Sequence, residues 1–152
     1  MTKTVVDIDI MCPPEDVFAY ITNFENNPKW QNGMKSCQFT SEGPIGVGTT
    51  YEQVASFLGR SIITTFEVIE FEPNRHIKFV SRQSTFPLRI VRAVAPIAGG
   101  THVHAEIEGE PGGIFKLLGL GPILDGMVSK SIHKDYARLK ELLESDSSAE
   151  NV

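Results

Sequence analysis

The chain has 152 residues, 41% of them hydrophobic and 22% charged, which fits a single globular domain and excludes a disordered chain. With 14 Lys and Arg against 19 Asp and Glu, the net charge is −5, so the basic footprint of a nucleic-acid binder is missing. The longest apolar run, Ile114 to Leu124, contains Lys116 and falls far short of the ~20 residues that a membrane span needs.

The first residues lead straight into alternation rather than into an apolar block. A cytoplasmic protein is therefore expected, with Cys12 and Cys37 as reduced thiols. Val6, Ile8 and Ile10 lie on one face of Val5–Ile10 and Asp7 and Asp9 on the other, the pattern of a half-buried strand. Pro14, followed by Glu15 and Asp16, opens a short helix to Asn23, since proline suits the first helical position and acids suit the positive end of the dipole. Asn26-Asn27-Pro28 breaks the chain before Trp30. Six strands are then predicted, over residues 35–42, 49–58, 61–71, 75–83, 88–95 and 101–109, separated by Gly, Pro and Asn turns. Leu124, Val128, Ile132, Tyr136, Leu139 and Leu143 form one apolar stripe on a final helix from Ile123 to Glu144, ~33 Å long at 1.5 Å per residue. Residues 145–152 read as a disordered tail, and 1–144 as one domain.

The order strand, short helix, six strands, long helix implies an α+β layer architecture. Pro13-Pro14-Glu15-Asp16-Val17-Phe18, the turn before Trp30, Gly46-Val47-Gly48-Thr49, Phe66 through Arg75 and Leu139 through Glu144 occur in an order that resembles the polyketide cyclase/dehydrase-type branch of the START-like (SRPBCC) superfamily. That resemblance implies a helix-grip fold, in which a curved antiparallel sheet of six or seven strands wraps around the C-terminal helix over an internal hydrophobic cavity. It also implies a hydrophobic small-molecule ligand, such as a lipid or polyketide, and no cofactor. It carries no shared catalytic motif, so function has to come from the site.

Strand alternation selects the inward residues. Tyr51, Gln53 and Phe57, then Thr64 and Phe66, then Phe79 and Ser81, then Val103 are expected to face the cavity. Met127 and Ser131 would face it from the helix, and Trp30, Phe115 and Leu118 would close its ends. Apolar walls with a few orienting polar groups make a small-molecule pocket. Asp135 projects near the centre of the helix stripe, either as a ligand anchor or acid with a raised pKa, or as a helix-edge partner of Arg138. Arg89 and Arg92 lie on opposite faces of one strand, so one points inward, toward a ligand carboxylate or toward Asp135. Tyr51, Asp135 and Arg92 are the candidates for catalysis.

His102, His104, Glu106 and Glu108 share one strand face. Val103, Ala105 and Ile107 opposite them must be the buried side. The His/Glu face is therefore assigned to solvent, paired with Arg89 or Lys78, and no metal is expected. Gly46-Val47-Gly48 reads as a hairpin turn rather than a phosphate loop. The Gly-punctuated segment 109–122 reads as a lid, a fixed cap or a partner-binding patch. The leading function is a carrier or binding module for a hydrophobic small molecule, as a monomer or homodimer. The alternatives are a cofactor-free cyclase or dehydratase and a stress-response or interaction module.

Overall fold

The computed structural model describes residues 2–57, 59–83, 87–109 and 121–150. Strand β1 (Thr2–Ile10) is followed by α1 (Pro14–Thr22), a 3-10 turn (Phe24–Asn26) and the single-turn α2 (Asn27–Trp30). Then come β2 (Met34–Phe39), β3 (Thr50–Phe57), β4 (Arg60–Glu72), β5 (His76–Gln83), β6 (Leu88–Ile97), β7 (Gly100–Gly109) and the long α3 (Gly121–Glu150). The predicted α+β order is the observed one. No described helix is long and apolar enough to cross a membrane.

All seven strands form one antiparallel sheet in the order β1-β7-β6-β5-β4-β3-β2. Strands β2 through β7 are neighbours in chain order, and β1 closes onto β7. Side chains alternate across a strand, so register carries one face of every strand to the same side. Tyr51 lies opposite Phe66, Val68 opposite Phe79, and Phe79 opposite Ile90. Ile90 in turn lies opposite Ile107, and Ala105 opposite Val6. This face holds the core, which α1 covers with Val17, Phe18 and Ile21.

Helix α3 differs from the expected one at both ends. It starts at Gly121 and runs through Glu150, so residues 145–150 continue the helix where a tail was predicted. No Gly or Pro lies between Ser145 and Glu150 to stop it. The apolar stripe is also used unevenly. Tyr136 and Leu139 are buried, whereas Met127 and Val128 are 61% and 37% exposed. Periodicity says which residues share a face, but not how far along the helix that face meets the sheet. The C-terminal half is tied to the end of β1. Lys140 Nζ donates to the Asp9 carbonyl at 2.6 Å, and Glu144 accepts the Met11 amide at 2.9 Å.

The His/Glu stripe of β7 lies on the solvent side, as predicted, with Arg89 opposite Glu108 in the register, but its histidines find aspartate partners on β1. Because β1 pairs with β7, Asp7 sits opposite His104 and Asp9 opposite His102. His102 bonds Asp9 at 2.7 Å and Asp7 at 2.9 Å, while His104 bonds Asp7 at 2.7 Å and Glu106 at 3.2 Å. Lys3 pairs with Glu106 and Glu108. The expected partner Lys78 meets Glu70 instead.

These carboxylates raise both His pKa values, through hydrogen bonds to Asp9 and Asp7 for His102 and foremost to Asp7 for His104. The same bonds lower Asp7, foremost that from His104. A raised His contributes stability in full below its unfolded value of about 6.5 and loses it as pH rises through the folded value. The lowered Asp7 contributes above its unfolded value and loses it as pH falls through the folded one. Urea midpoints are therefore expected to fall modestly as pH rises above about 6.5 and through the raised folded-state values. The double substitution His102→Asn with His104→Asn should flatten that slope. An unchanged slope in the double variant would remove the ladder as its cause.

Candidate functional site

A cavity of about 140 Å³ lies between the sheet and α3. Its sheet wall is Tyr51 and Gln53 from β3, Leu88, Ile90 and Arg92 from β6, and Ile107 from β7. Ile132, Asp135 and Tyr136 of α3 form the helix wall, and Trp30 with Gln31 closes the side at the end of α2.

Behind the Tyr51 wall, aromatic rings pack into the core. Phe24 stacks on Tyr51 with centroids 4.2 Å apart, and Tyr51 stacks on Phe66 at 5.1 Å. Phe79 meets Phe66 edge-on at 5.6 Å and tilts against Phe24 at 4.8 Å. Strand register brings Tyr51, Phe66 and Phe79 together, and the 3-10 turn adds Phe24. Offset and edge-to-face pairs of this kind add stability beyond the area they bury. Trp30 in turn meets Tyr136 edge-on at 4.9 Å.

Arg92 stands in this apolar setting with 2% of its surface exposed. Strand parity puts it on the same face as Leu88, Ile90 and Val94, and the small Ala105 lies directly opposite on β7. One amino group donates to the Ile21 carbonyl at 2.8 Å and to Asn27 Oδ1 at 3.2 Å. Ile21 belongs to the last turn of α1, where carbonyls lack intrahelical partners and the helix dipole is negative. The guanidinium thus caps α1 from the sheet. It also sits 5.0 Å from the Trp30 ring, 5.2 Å from Phe79 and 5.9 Å from Phe24, within cation–π range. Its expected alternative partner, Asp135, is engaged elsewhere.

Asp135 is buried on the helix wall, 8% exposed. One carboxylate oxygen accepts the Asn32 amide at 3.1 Å and an Arg138 amino group at 3.2 Å. Burial pushes its carboxyl above the ordinary Asp range, while the Asn32 amide and Arg138 pull the other way. Arg138 also holds the Trp30 carbonyl at 3.0 Å, which pins α2 against α3. The Tyr51 phenol is pushed far up by burial, against the pull of Arg92, and stays protonated. Burial also pushes the Cys37 thiol up to about 11, so it is not a ready nucleophile.

Of the residues predicted for the cavity, Trp30, Tyr51 and Gln53 stand on its wall, together with the catalytic candidates Arg92 and Asp135. Thr64, Phe66, Phe79 and Val103 lie in the packed core, off the wall. Ser81 bridges β5 to β6, accepting the Leu88 amide at 2.8 Å and donating to its carbonyl at 3.4 Å. Met127 is exposed, and Ser131 is half-buried away from the wall. The Phe57 side chain, Phe115, Leu118 and residues 110–120 of the segment 109–122 that reads as a lid, a fixed cap or a partner-binding patch lie outside the described residues.

Gln31, Leu88, Ile90, Ile107, Ile132 and Tyr136 complete the wall without having been among the predicted site residues. A signal for most of them was present: Ile107 lies on the face assigned as buried, Ile132 and Tyr136 lie on the helix stripe, and once Arg92 points inward, alternation on β6 carries Ile90 and Leu88 inward with it. Among the described residues, no group of three or more His, Cys, Asp or Glu is arranged to hold a metal ion.

Comparison with known proteins agrees with this fold. The model of a family described as polyketide cyclase / dehydrase and lipid transport matches residues 1–144. No curated protein matches the chain. A protein of Thermus thermophilus superposes with a TM-score of 0.79 at 20% identity, covering 96% of this chain and 99% of its own. A START superfamily protein from Mycobacterium smegmatis gives 0.69 at 17% identity, with 95% of each chain covered. The di-domain ARO/CYC StfQ from the steffimycin biosynthetic pathway gives 0.74 at 11% identity, over 96% of this chain and 51% of StfQ. At such identities the likeness is one of fold.

Proposed function

The chain belongs to the polyketide cyclase / dehydrase and lipid transport family, and from that premise we propose that it binds a hydrophobic small molecule in the cavity between sheet and α3. One observation carries the reading: an aromatic and aliphatic cavity whose wall bears only a few polar groups, Gln31, Tyr51, Gln53, Arg92 and Asp135. Affinity comes from apolar ligand surface removed from water, at roughly 25 cal/mol per Å². The sparse polar groups fix orientation. Conversion of the ligand by cyclisation would need an acid or base within hydrogen-bond reach of the reacting atom. On this wall Tyr51 is held protonated, and Asp135 is already bonded by Asn32 and Arg138. These engagements favour holding over turnover.

Titration with Nile red, a neutral apolar dye, tests the proposal. One saturable site with enhanced emission is expected. Ile132→Trp, which thrusts a larger ring from the helix wall into the cavity, should abolish it while the circular dichroism spectrum is retained. Undiminished binding by the folded variant would move the ligand site elsewhere.

A further inference from the structure

Resting on that reading of the cavity, we infer that its ligand is an amphipathic anion whose charged oxygen is received by Arg92 and Trp30. Two of the residues on the cavity wall hold polar atoms with no hydrogen-bond partner among the described residues: Arg92 Nε and Trp30 Nε1. Arg92 is 2% exposed and Trp30 is 1% exposed. Both atoms are donors only, since a guanidinium and an indole N–H accept nothing. The demand on this wall is therefore for an acceptor. The two groups are also neighbours, because the Arg92 guanidinium carbon lies 5.0 Å from the Trp30 ring centre.

Charge selects among acceptors. A guanidinium stays protonated and costs heavily to bury without a counter-charge. The partners that Arg92 finds, the Ile21 carbonyl and Asn27 Oδ1, are both neutral. The carboxylate on the facing wall, Asp135, spends its bonding oxygen on Asn32 and Arg138. The cavity is thus polarised, with a cation that meets no carboxylate among the described residues on the sheet side and an engaged carboxylate on the helix side. A carboxylate or enolate on an apolar body meets both requirements at once. Its oxygen takes the N–H of Arg92 and of Trp30, and its body lies along Leu88, Ile90, Ile107 and Ile132. A charge-assisted bond in such a setting is shorter and stronger than a neutral one. A neutral alcohol of the same length supplies an acceptor but no counter-charge.

Trp30 is the chain's single tryptophan, so its emission reports on this wall directly. The test titrates the unmodified protein at neutral pH with octanoate, 1-octanol and n-octylammonium, three probes with one tail and three head groups. Octanoate is expected to bind at least about 10-fold more tightly than 1-octanol, as the loss of a charged hydrogen bond implies, with octylammonium the weakest. Arg92→Gln should erase the preference for octanoate over 1-octanol. Equal binding of octanoate and 1-octanol, or tighter binding of octylammonium, overturns the anion assignment and leaves the hydrophobic site standing. Binding of none of the three overturns both. A preference that survives in folded Arg92→Gln places the anion elsewhere and overturns the assignment to Arg92. The comparison of the three probes on the unmodified chain needs no variant to fold.

Discussion

Phe79→Ala is expected to destabilise the protein by about 3–5 kcal/mol, the range for removing a buried phenyl ring. The ring is fully buried and packs against Phe24, Tyr51 and Phe66. These neighbours come from two other strands and a 3-10 turn, so they cannot collapse into the gap without disturbing the register. Against a total of about 5–15 kcal/mol, that loss leaves little margin. Urea unfolding should show a lower midpoint with an unchanged slope, and Phe79→Leu should recover most of the deficit. A loss under about 1 kcal/mol would mean that the cluster repacks freely. Phe79 also lies 5.2 Å from the Arg92 guanidinium carbon. The same substitution therefore loosens the core behind Tyr51 and Arg92 of the cavity wall.

The second large effect needs only one added methyl group. At Gly100 a Cβ would sit 2.5 Å from the Ile10 carbonyl oxygen and 2.9 Å from Met11 Cα. These are backbone atoms at the end of β1, where Ile10 pairs with Thr101. They cannot swing aside as a flexible side chain would, so β1 and β7 must separate locally. Gly100→Ala is expected to cost at least about 1–3 kcal/mol by overpacking. Gly46→Ala is the matched control. Nothing lies within 4 Å of its added Cβ, and the change should stay within about 0.5 kcal/mol. Equal urea midpoints for the two variants would refute the close approach of β1 to β7.

Much of the fold was legible because strand geometry couples sequence to burial at a period of two. Val6 and Ile10, then Phe66 and Val68, then Ile77 and Phe79, then Val103 and Ala105 alternate in the sequence, and all are buried. The turn residues between them set the order of the hairpins, and Pro14 set the start of α1. Helix α3 was legible as a stripe but not in its ends. Nothing at Glu144 stops it, and Tyr136 and Leu139 are the described stripe residues that are fully covered.

The site was less legible, for a physical reason. Its wall draws on β3, β6, β7, α2 and α3, and no local pattern records which of these will face one another. Parity placed Arg89 and Arg92 on opposite faces but did not say which points inward. That was decided by Ile77 and Ala105 flanking Arg92 on the neighbouring strands, with the end of α1 within reach of its guanidinium. The partners of His102 and His104 followed from the closure of β1 onto β7, a contact between the first and last strands of the chain.

By itself, then, the sequence determined most of the elements and their faces, because both rest on periodicity and turn chemistry within a few residues, and the family was legible as a resemblance in an ordered set of local motifs. The tertiary structure alone decided which inward residues pack as core and which line a cavity. Phe66 and Phe79 became core, while Arg92 and Trp30 kept donors without partners among the described residues. That division depends on how far α2 and α3 stand from the sheet. Such a distance is set by the summed packing of residues remote in the chain, and no stretch of sequence encodes it alone.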